Sequence, residues 1–249
     1  MVIVELITER IQFAPHVGTY ARAAVPVEAF DRGWKLDAGS AVLLNTGEAF
    51  ELIVEGVCTP LEYARVLASI AESGVSLHAV TLPFELGQQL NNPDARDWYW
   101  MVREHPFPVA KVPSHTSIVT SNEADSEISR FLQLSAPDSA VMPGNPEIKF
   151  WVVSRDHNGD LQATAVGTQW SSGARVINSV AVAPAARRQG LGKLVTALAG
   201  QQHFAEGAQS VALGVRGSNI NALALYRGLG FDKELHFSSV RMSPRSLSD

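Results

Sequence analysis

The chain has 249 residues, 46% of them apolar and 18% charged, with a formal net charge of -5. At roughly 100 to 200 residues per domain it is one large domain or two small ones, long enough to bury a sizeable core, which argues against disorder. Its one cysteine, Cys58, excludes an intramolecular disulfide and a cysteine-built zinc site, and the acidic balance argues against a general nucleic-acid binder.

Before Gly39 the sequence shows no readable pattern. AVLLN and FELIVEGV then read as strands. From Thr59 to Gly74 a helix is expected: Thr59 caps, Pro60 suits the first helical position, Glu62 completes a capping box, and Tyr63, Val66, Leu67, Ile70 and Ala71 form the apolar stripe. SLHAVTL follows as a strand, and Trp98, Tyr99 and Trp100 read as a packed aromatic cluster. The three prolines of HPFPVAKVPSH, His105 to His115, mark a connector. It divides an N-terminal α/β domain, 1–112, from a second domain, 113–249. The charge divides there too: 8 Lys and Arg stand against 14 Asp and Glu before the boundary, and 12 against 11 after it.

In the second domain SIVT is a strand, and Thr120 with Glu123 makes a capping box ahead of a helix with Ile128, Phe131 and Leu132 on its apolar side. KFWVVSR and LQATAVGTQW flank His157-Asn158-Gly159-Asp160, a hairpin signal. RVINSVAV ends at Val182; a glycine-containing loop, a helix from Leu191 to Phe204, a strand SVALGV, a helix from Asn219 to Leu229 and a strand LHFSSVRM complete a mixed α/β plan. No internal repeat or low-complexity tract is visible. Apolar runs stay short of the roughly 18 residues of a membrane helix, and MVIVELITER lacks the basic start and cleavage site of a secretory signal, so a cytoplasmic protein without a membrane partner is expected.

The chemistry concentrates in VAVAPAARRQGLGKL, Val180 to Leu194. A strand enters a loop that becomes a helix at Gly190 and Gly192, where the first helical N–H groups lack intrahelical partners and a backbone can approach an anion closely. Arg187, Arg188 and Lys193 add positive charge at the same place, a combination suited to a diphosphate.

The run Val182-x-Pro184-x-x-Arg187-x-x-Gly190-x-Gly192 resembles the signature of the GNAT superfamily of acetyl-CoA-dependent N-acetyltransferases. Val215-Arg216-Gly217-Ser218-Asn219, followed by Ala222, Leu225, Tyr226, Gly230 and Phe231, is similar to that family's second motif, and the resemblance covers about residues 115 to 242. It implies a mixed, mostly antiparallel central sheet flanked by helices, beside a smaller N-terminal α/β domain that is either a degenerate GNAT-like unit or a separate one. It also implies acetyl transfer from acetyl-CoA to a primary amine of a small molecule or peptide, with no metal. By position, the main chain of Val180, Ala181 and Val182 would bond the acetyl carbonyl and pantetheine arm. Arg187, Arg188, Gln189, Gly190, Leu191, Gly192 and Lys193 would form the pyrophosphate loop. Asn219 would bond the pantetheine or cap its helix, Ala222 would line the cofactor, and Tyr226 would protonate the departing thiolate.

One departure stands out. Members that use a carboxylate base often place it at about Val176, and the strand Val176-Ile177-Asn178-Ser179 has no acid. Proton removal then runs through water, backbone carbonyls, or Glu147, His115 or His236; an inactive acetyl-CoA sensor is the rival reading. Structural alternatives accompany the site residues: Tyr226 lies on an apolar stripe with Ala222 and Leu229, and Asn219 is a natural N-cap with or without a ligand. Cys58 reads as a small buried hydrophobe, and the seven histidines show no metal-ligand spacing.

Overall fold

The computed structural model describes residues 4–9, 12, 18–47, 49–108, 112–120 and 122–242. The chain forms two compact units, one drawn from Met1–Trp100, Arg216–Ser218 and Leu235–Asp249, the other from Met101–Val215 and Asn219–Glu234.

In the first unit, β1 (Glu5–Ile7), β2 (Phe30–Lys35), β3 (Ala38–Asn45) and β4 (Phe50–Val57) form an antiparallel meander. A helix over Pro60–Glu72 then carries the chain to β5 (Leu77–Pro83), which lies parallel to β4, as a right-handed crossover allows. The helix starts where the sequence places it: Glu62 N–H donates to Thr59 Oγ1 at 3.2 Å, and Thr59 N–H donates to Glu62 Oε2 at 2.7 Å. Its stripe of Val66 and Ile70 packs with Trp34, Leu43, Leu52, Leu77 and Val80 in one core. A short helix, Phe84–Leu90, leads to β6 (Arg96–Arg103), so the aromatic cluster at 98–100 sits on a strand. The last strand, β12 (Lys233–Arg241), pairs antiparallel with β5 from Phe237 opposite Pro83 to Arg241 opposite Ala79. A strand from the far end of the sequence thus completes the first unit.

The second unit repeats the plan. β7 (Thr116–Val119), β8 (Ile148–Arg155), β9 (Leu161–Gln169) and β10 (Arg175–Val182) are antiparallel neighbours. A helix over Leu191–Ala205 leads to β11 (Val211–Arg216), parallel to β10, and a helix over Ile220–Gly228 follows. The Asp125–Ser135 helix covers one face of this sheet, burying Ile128, Phe131 and Leu132 against Trp151, Val153 and Val166. Its start differs from the expectation: a 3-10 turn over Asn122–Ala124 precedes it and Ala124 is the N-cap, so Thr120 lies one turn too early. The side chain of Glu123, its expected partner, lies outside the described residues, as do 109–111 of the proline-rich connector.

Arg103 is the long-range clamp of this unit. Its guanidinium donates to the carbonyls of Leu229 at 2.6 Å, His105 at 2.6 Å and Pro106 at 2.8 Å, and lies 4.5 Å above the Phe107 ring. Phe107 in turn packs so closely on Gly200 that any Cβ there would collide with its ring. One side chain therefore satisfies carbonyls at the end of the Ile220–Gly228 helix and stacks on the ring that seats the Leu191–Ala205 helix.

His203, on that helix, is 0% exposed beside Phe150; its Nε2 is 3.4 Å from the Val176 carbonyl, and Nδ1 has no partner among the described residues. Burial pushes its pKa down from 6.5 to about 4. The unfolded chain takes up that proton first, so the contribution is intact above about pH 6.5 and is lost as pH falls toward 4, by roughly 3 kcal/mol. Urea unfolding at pH 7 and pH 4.5 will show the wild type losing more stability over this interval than His203→Leu; equal losses would show that His203 is not the titrating group.

Candidate active site

The parallel contact of β10 with β11 is confined, among the described residues, to Val176 opposite Ala212. Past it, β10 changes register with β9 between Asn178 and Ala181, and Ser179 between them has φ 47. Ser179 Oγ donates to the Val141 carbonyl at 2.6 Å and accepts from Val141 N–H at 3.3 Å. One hydroxyl thus holds the bulge against Val141. Beyond the bulge the edge of β10 toward β11 offers the main chain of Val180, Ala181 and Val182 without a parallel partner, the arrangement in which strand N–H and C=O groups are open to a ligand.

The loop after β10 has a 3-10 turn at Pro184–Ala186, a left-handed Arg188 with φ 63, and Gly190 with φ 81 as N-cap of the Leu191–Ala205 helix. No side chain caps that helix, so its first N–H groups lack an internal acceptor. A Cβ at Gly190 would meet nothing within 4 Å; its backbone angle, and not crowding, demands glycine. At Gly192 a Cβ would come 3.2 Å from Leu225 Cδ1 and 3.5 Å from Val182 Cγ2. The two sequence motifs therefore meet: the first helical turn, the end of β10 and the Ile220–Gly228 helix converge on Gly192.

Around this centre the cationic residues differ. Arg187 folds back, with Nε and Nη2 each 3.4 Å from the carbonyls of Val182 and Ser135, while Arg188, Gln189 and Lys193 are exposed. A cavity of about 420 Å³ adjoins the loop, lined by Gln189, Leu191, Ala186, Gln162, His115 and Arg155. Arg155 is fixed there by two 2.6 Å bonds to Glu127, whose carboxyl is held below its usual range by the guanidinium. Asn219 Oδ1 accepts from Ala222 N–H at 3.2 Å, capping its helix, and Ala222 is half-buried. Tyr226 is 8% exposed, edge-on to Phe231, and burial pushes its pKa up to about 12, so the phenol stays protonated. Its hydroxyl has no hydrogen bond to a described residue.

The possible bases are scattered. Val176 is 0% exposed, so no proton acceptor operates from that position. Burial pushes the Glu147 carboxyl up, and His115 lines the cavity beside the loop. In the first unit, His236 is stacked between Phe84 and Tyr99, with Nε2 3.4 Å from Asp97 Oδ2. Cys58 is buried with its thiol pushed up to about 12 by burial, as expected of a structural cysteine. Among the described residues, no cluster of His, Cys, Asp or Glu is built to hold a metal, and no helix is long and apolar enough to cross a membrane. Sequence reasoning missed Ser179, Arg103 and the Asn178–Thr168 pair; a polar Asn-Ser step inside a buried strand was the one available signal.

The model of the acetyltransferase (GNAT) family matches residues 92–231. A mycothiol acetyltransferase from Nocardioides sp. (strain ATCC BAA-499 / JS614) is 29% identical over 216 residues, 84% of this chain; the match spans 66% of that relative's own length. Among solved structures, a GCN5-related N-acetyltransferase from Sphaerobacter thermophilus shares the fold with a TM-score of 0.57 at 15% identity, covering 97% of this chain and 96% of that one. A second, from Kribbella flavida, gives 0.52 at 20% identity over 88% and 91%.

The left-handed N-cap generates a stability prediction. Gly190→Ala, which fills open space but must adopt φ 81, is expected to cost about 1 to 2 kcal/mol in urea unfolding, and Gly190→Asn, better suited to that region, less. Equal stability of the three proteins would contradict the assigned backbone.

Proposed function

The chain belongs to the acetyltransferase (GNAT) family, and from that premise we propose that it transfers an acetyl group from acetyl-CoA to a primary amine by direct attack on the thioester. The observation that carries this reading is the convergence at Gly192 of an uncapped helix start, the unpaired edge of β10 and the helix bearing Tyr226. The loop from Arg187 to Lys193 would hold the coenzyme diphosphate, Gly190 giving the chain its entry angle and Arg188 and Lys193 adding charge. The main chain of Val180 to Val182 would orient the pantetheine arm and acetyl carbonyl, beside Ala222. Tyr226 would donate a hydrogen bond, and then its proton, to the sulfur as the C–S bond breaks. The acceptor is a small-molecule or peptide amine. The name of the Nocardioides relative makes mycothiol-related amines the first to test, beside glycinamide, glucosamine and spermidine.

We further propose that 1–112 is a degenerate GNAT-like unit with no coenzyme site of its own. It follows the same order of meander, helix, parallel strand, helix and strand. Yet β4 joins its helix through Cys58 and Thr59 alone, where β10 is followed by the long 183–190 loop. β4 also pairs with β5 over Phe50 to Ile53, a longer contact than the single pair of β10 with β11. The helix start is already filled: Glu62, 2% exposed, accepts from Thr59 N–H and Oγ1 and from Asp37 N–H at 3.0 Å.

A second reading, an acetyl-CoA sensor without turnover, is favoured by the buried Val176 and the absence of an acid on its strand. Calorimetry with acetyl-CoA and thiol release over the amine panel separate the two. Binding near one per chain with turnover is expected; binding without turnover favours the sensor, and two sites per chain would sink the sealed-unit proposal. Gly190→Asp should weaken binding at least tenfold. Tyr226→Phe should lower kcat about 100-fold while sparing acetyl-CoA affinity; full activity would remove Tyr226 from the mechanism.

A further inference from the structure

Asn178 is the first residue of β10 past the pair of Val176 with Ala212 whose side chain lies on the same face as Val176, and it is half-buried beside the bulge. Its amide is oriented by a short relay. Thr168 is fully buried, and its Oγ1 lies 3.1 Å from the Val176 carbonyl. A carbonyl only accepts, so the hydroxyl spends its single proton there and faces Asn178 as an acceptor. The atom 2.9 Å from it must therefore be the donating Nδ2. That leaves Oδ1 turned away from Thr168, and among the described residues it accepts no hydrogen bond. The chain thus holds a fixed, uncommitted carbonyl oxygen on β10 beside the bulge, two residues past the last pair of β10 with β11.

We propose that Asn178 is a substrate-orienting residue whose Oδ1 accepts an N–H of the attacking amine, with Thr168 as its positioning residue. The inference rests on the acetyl-transfer reading above. In the step, the amine nitrogen bonds to the thioester carbon, the C–S bond breaks, the thiolate takes the Tyr226 proton, the excess proton on nitrogen passes to water, and Tyr226 regains a proton from water. An amide cannot take that proton. It holds the N–H while nitrogen becomes cationic, when a hydrogen bond to it is stronger than to the neutral amine. The acceptor must accordingly arrive as the neutral amine.

The test uses the full chain with acetyl-CoA and glycinamide, reading thiol release. Asn178→Leu is expected to lower kcat/KM for glycinamide about tenfold with KM for acetyl-CoA unchanged, and Asn178→Asp, which keeps an accepting oxygen, to recover most of that loss. Thr168→Val, which keeps shape but frees the amide, should lower it about threefold. Calorimetry with acetyl-CoA should match the wild type in every variant, and thermal unfolding should match it in Asn178→Leu and Asn178→Asp, which a general structural role would not allow; Thr168→Val, which removes the hydroxyl from the buried Val176 carbonyl, is expected to unfold at a somewhat lower temperature. Unchanged glycinamide kinetics in Asn178→Leu, or a loss shared by acetyl-CoA affinity, overturns the assignment. Wild-type binding of acetyl-CoA without release over any amine of the panel overturns the transfer reading itself, and the proposal with it.

Discussion

The conformation of Ser179 is the constraint on which the second unit turns. A non-glycine residue at φ 47 is disfavoured by roughly 1 to 2 kcal/mol. Two neutral hydrogen bonds to Val141 return a comparable amount, at about 0.5 to 1.5 kcal/mol each. The bulge therefore stands on a side chain, and it decides what the strand can offer. It shifts β10 against β9 between Asn178 and Ala181, and β10 parts from β11 just before it. The same hydroxyl ties Val141 to the bulge, so the bulge and the chain at Val141 are set together.

The two units show how much a short connection controls. Both run a meander into a helix and then into a parallel strand, and both have good cores. In the first, Cys58 and Thr59 bridge strand and helix, Pro60 removes one N–H, and Thr59 with Glu62 satisfies others. In the second, the 183–190 loop reaches the helix through two left-handed residues and brings no cap. The helix of the first unit starts capped; that of the second, without a side-chain cap, retains donors an anion can use. Architecture alone does not distinguish the two units, whereas the satisfaction of a few backbone N–H groups does.

Elements governed by local chemistry were legible in the sequence. The Thr59–Glu62 box, the Asn-Gly hairpin and the glycine pair at 190 and 192 each announce themselves within a few residues, and the structure has them at those positions. Features that depend on distant partners were not. The sequence left the first half open between a degenerate GNAT-like unit and a separate one, because the repeated plan resides in element order and not in residue identity. Arg103 reaches carbonyls 126 residues away, and nothing near it in sequence marks that role. Thr120 misled because a capping residue is a local signal, and the 3-10 turn at Asn122–Ala124 delayed the helix past its reach. Within the site, the loop glycines were readable from type and spacing. The Asn178 amide was not, because its orientation comes from Thr168 on the neighbouring strand.

The acidity of the first half of the sequence also takes on a physical meaning. Glu62 and Glu55 are both buried and both accept backbone N–H groups, Glu55 from Tyr20 at 3.2 Å and Ala21 at 2.9 Å. They act as internal anions at backbone donors, yet their pKa values move in opposite directions. Burial outweighs the hydrogen bonds at Glu55 and raises it, while at Glu62 the bonds from Thr59 and Asp37 prevail and lower it. Glu55, which accepts the N–H groups of Tyr20 and Ala21 in the first turn of the Thr19–Ala24 helix, therefore does for that helix what a bound diphosphate is proposed to do for the helix of the second unit. Part of the negative balance of 1–112 is thus already committed to holding the fold, as carboxylates seated at backbone donors, and is not free surface charge.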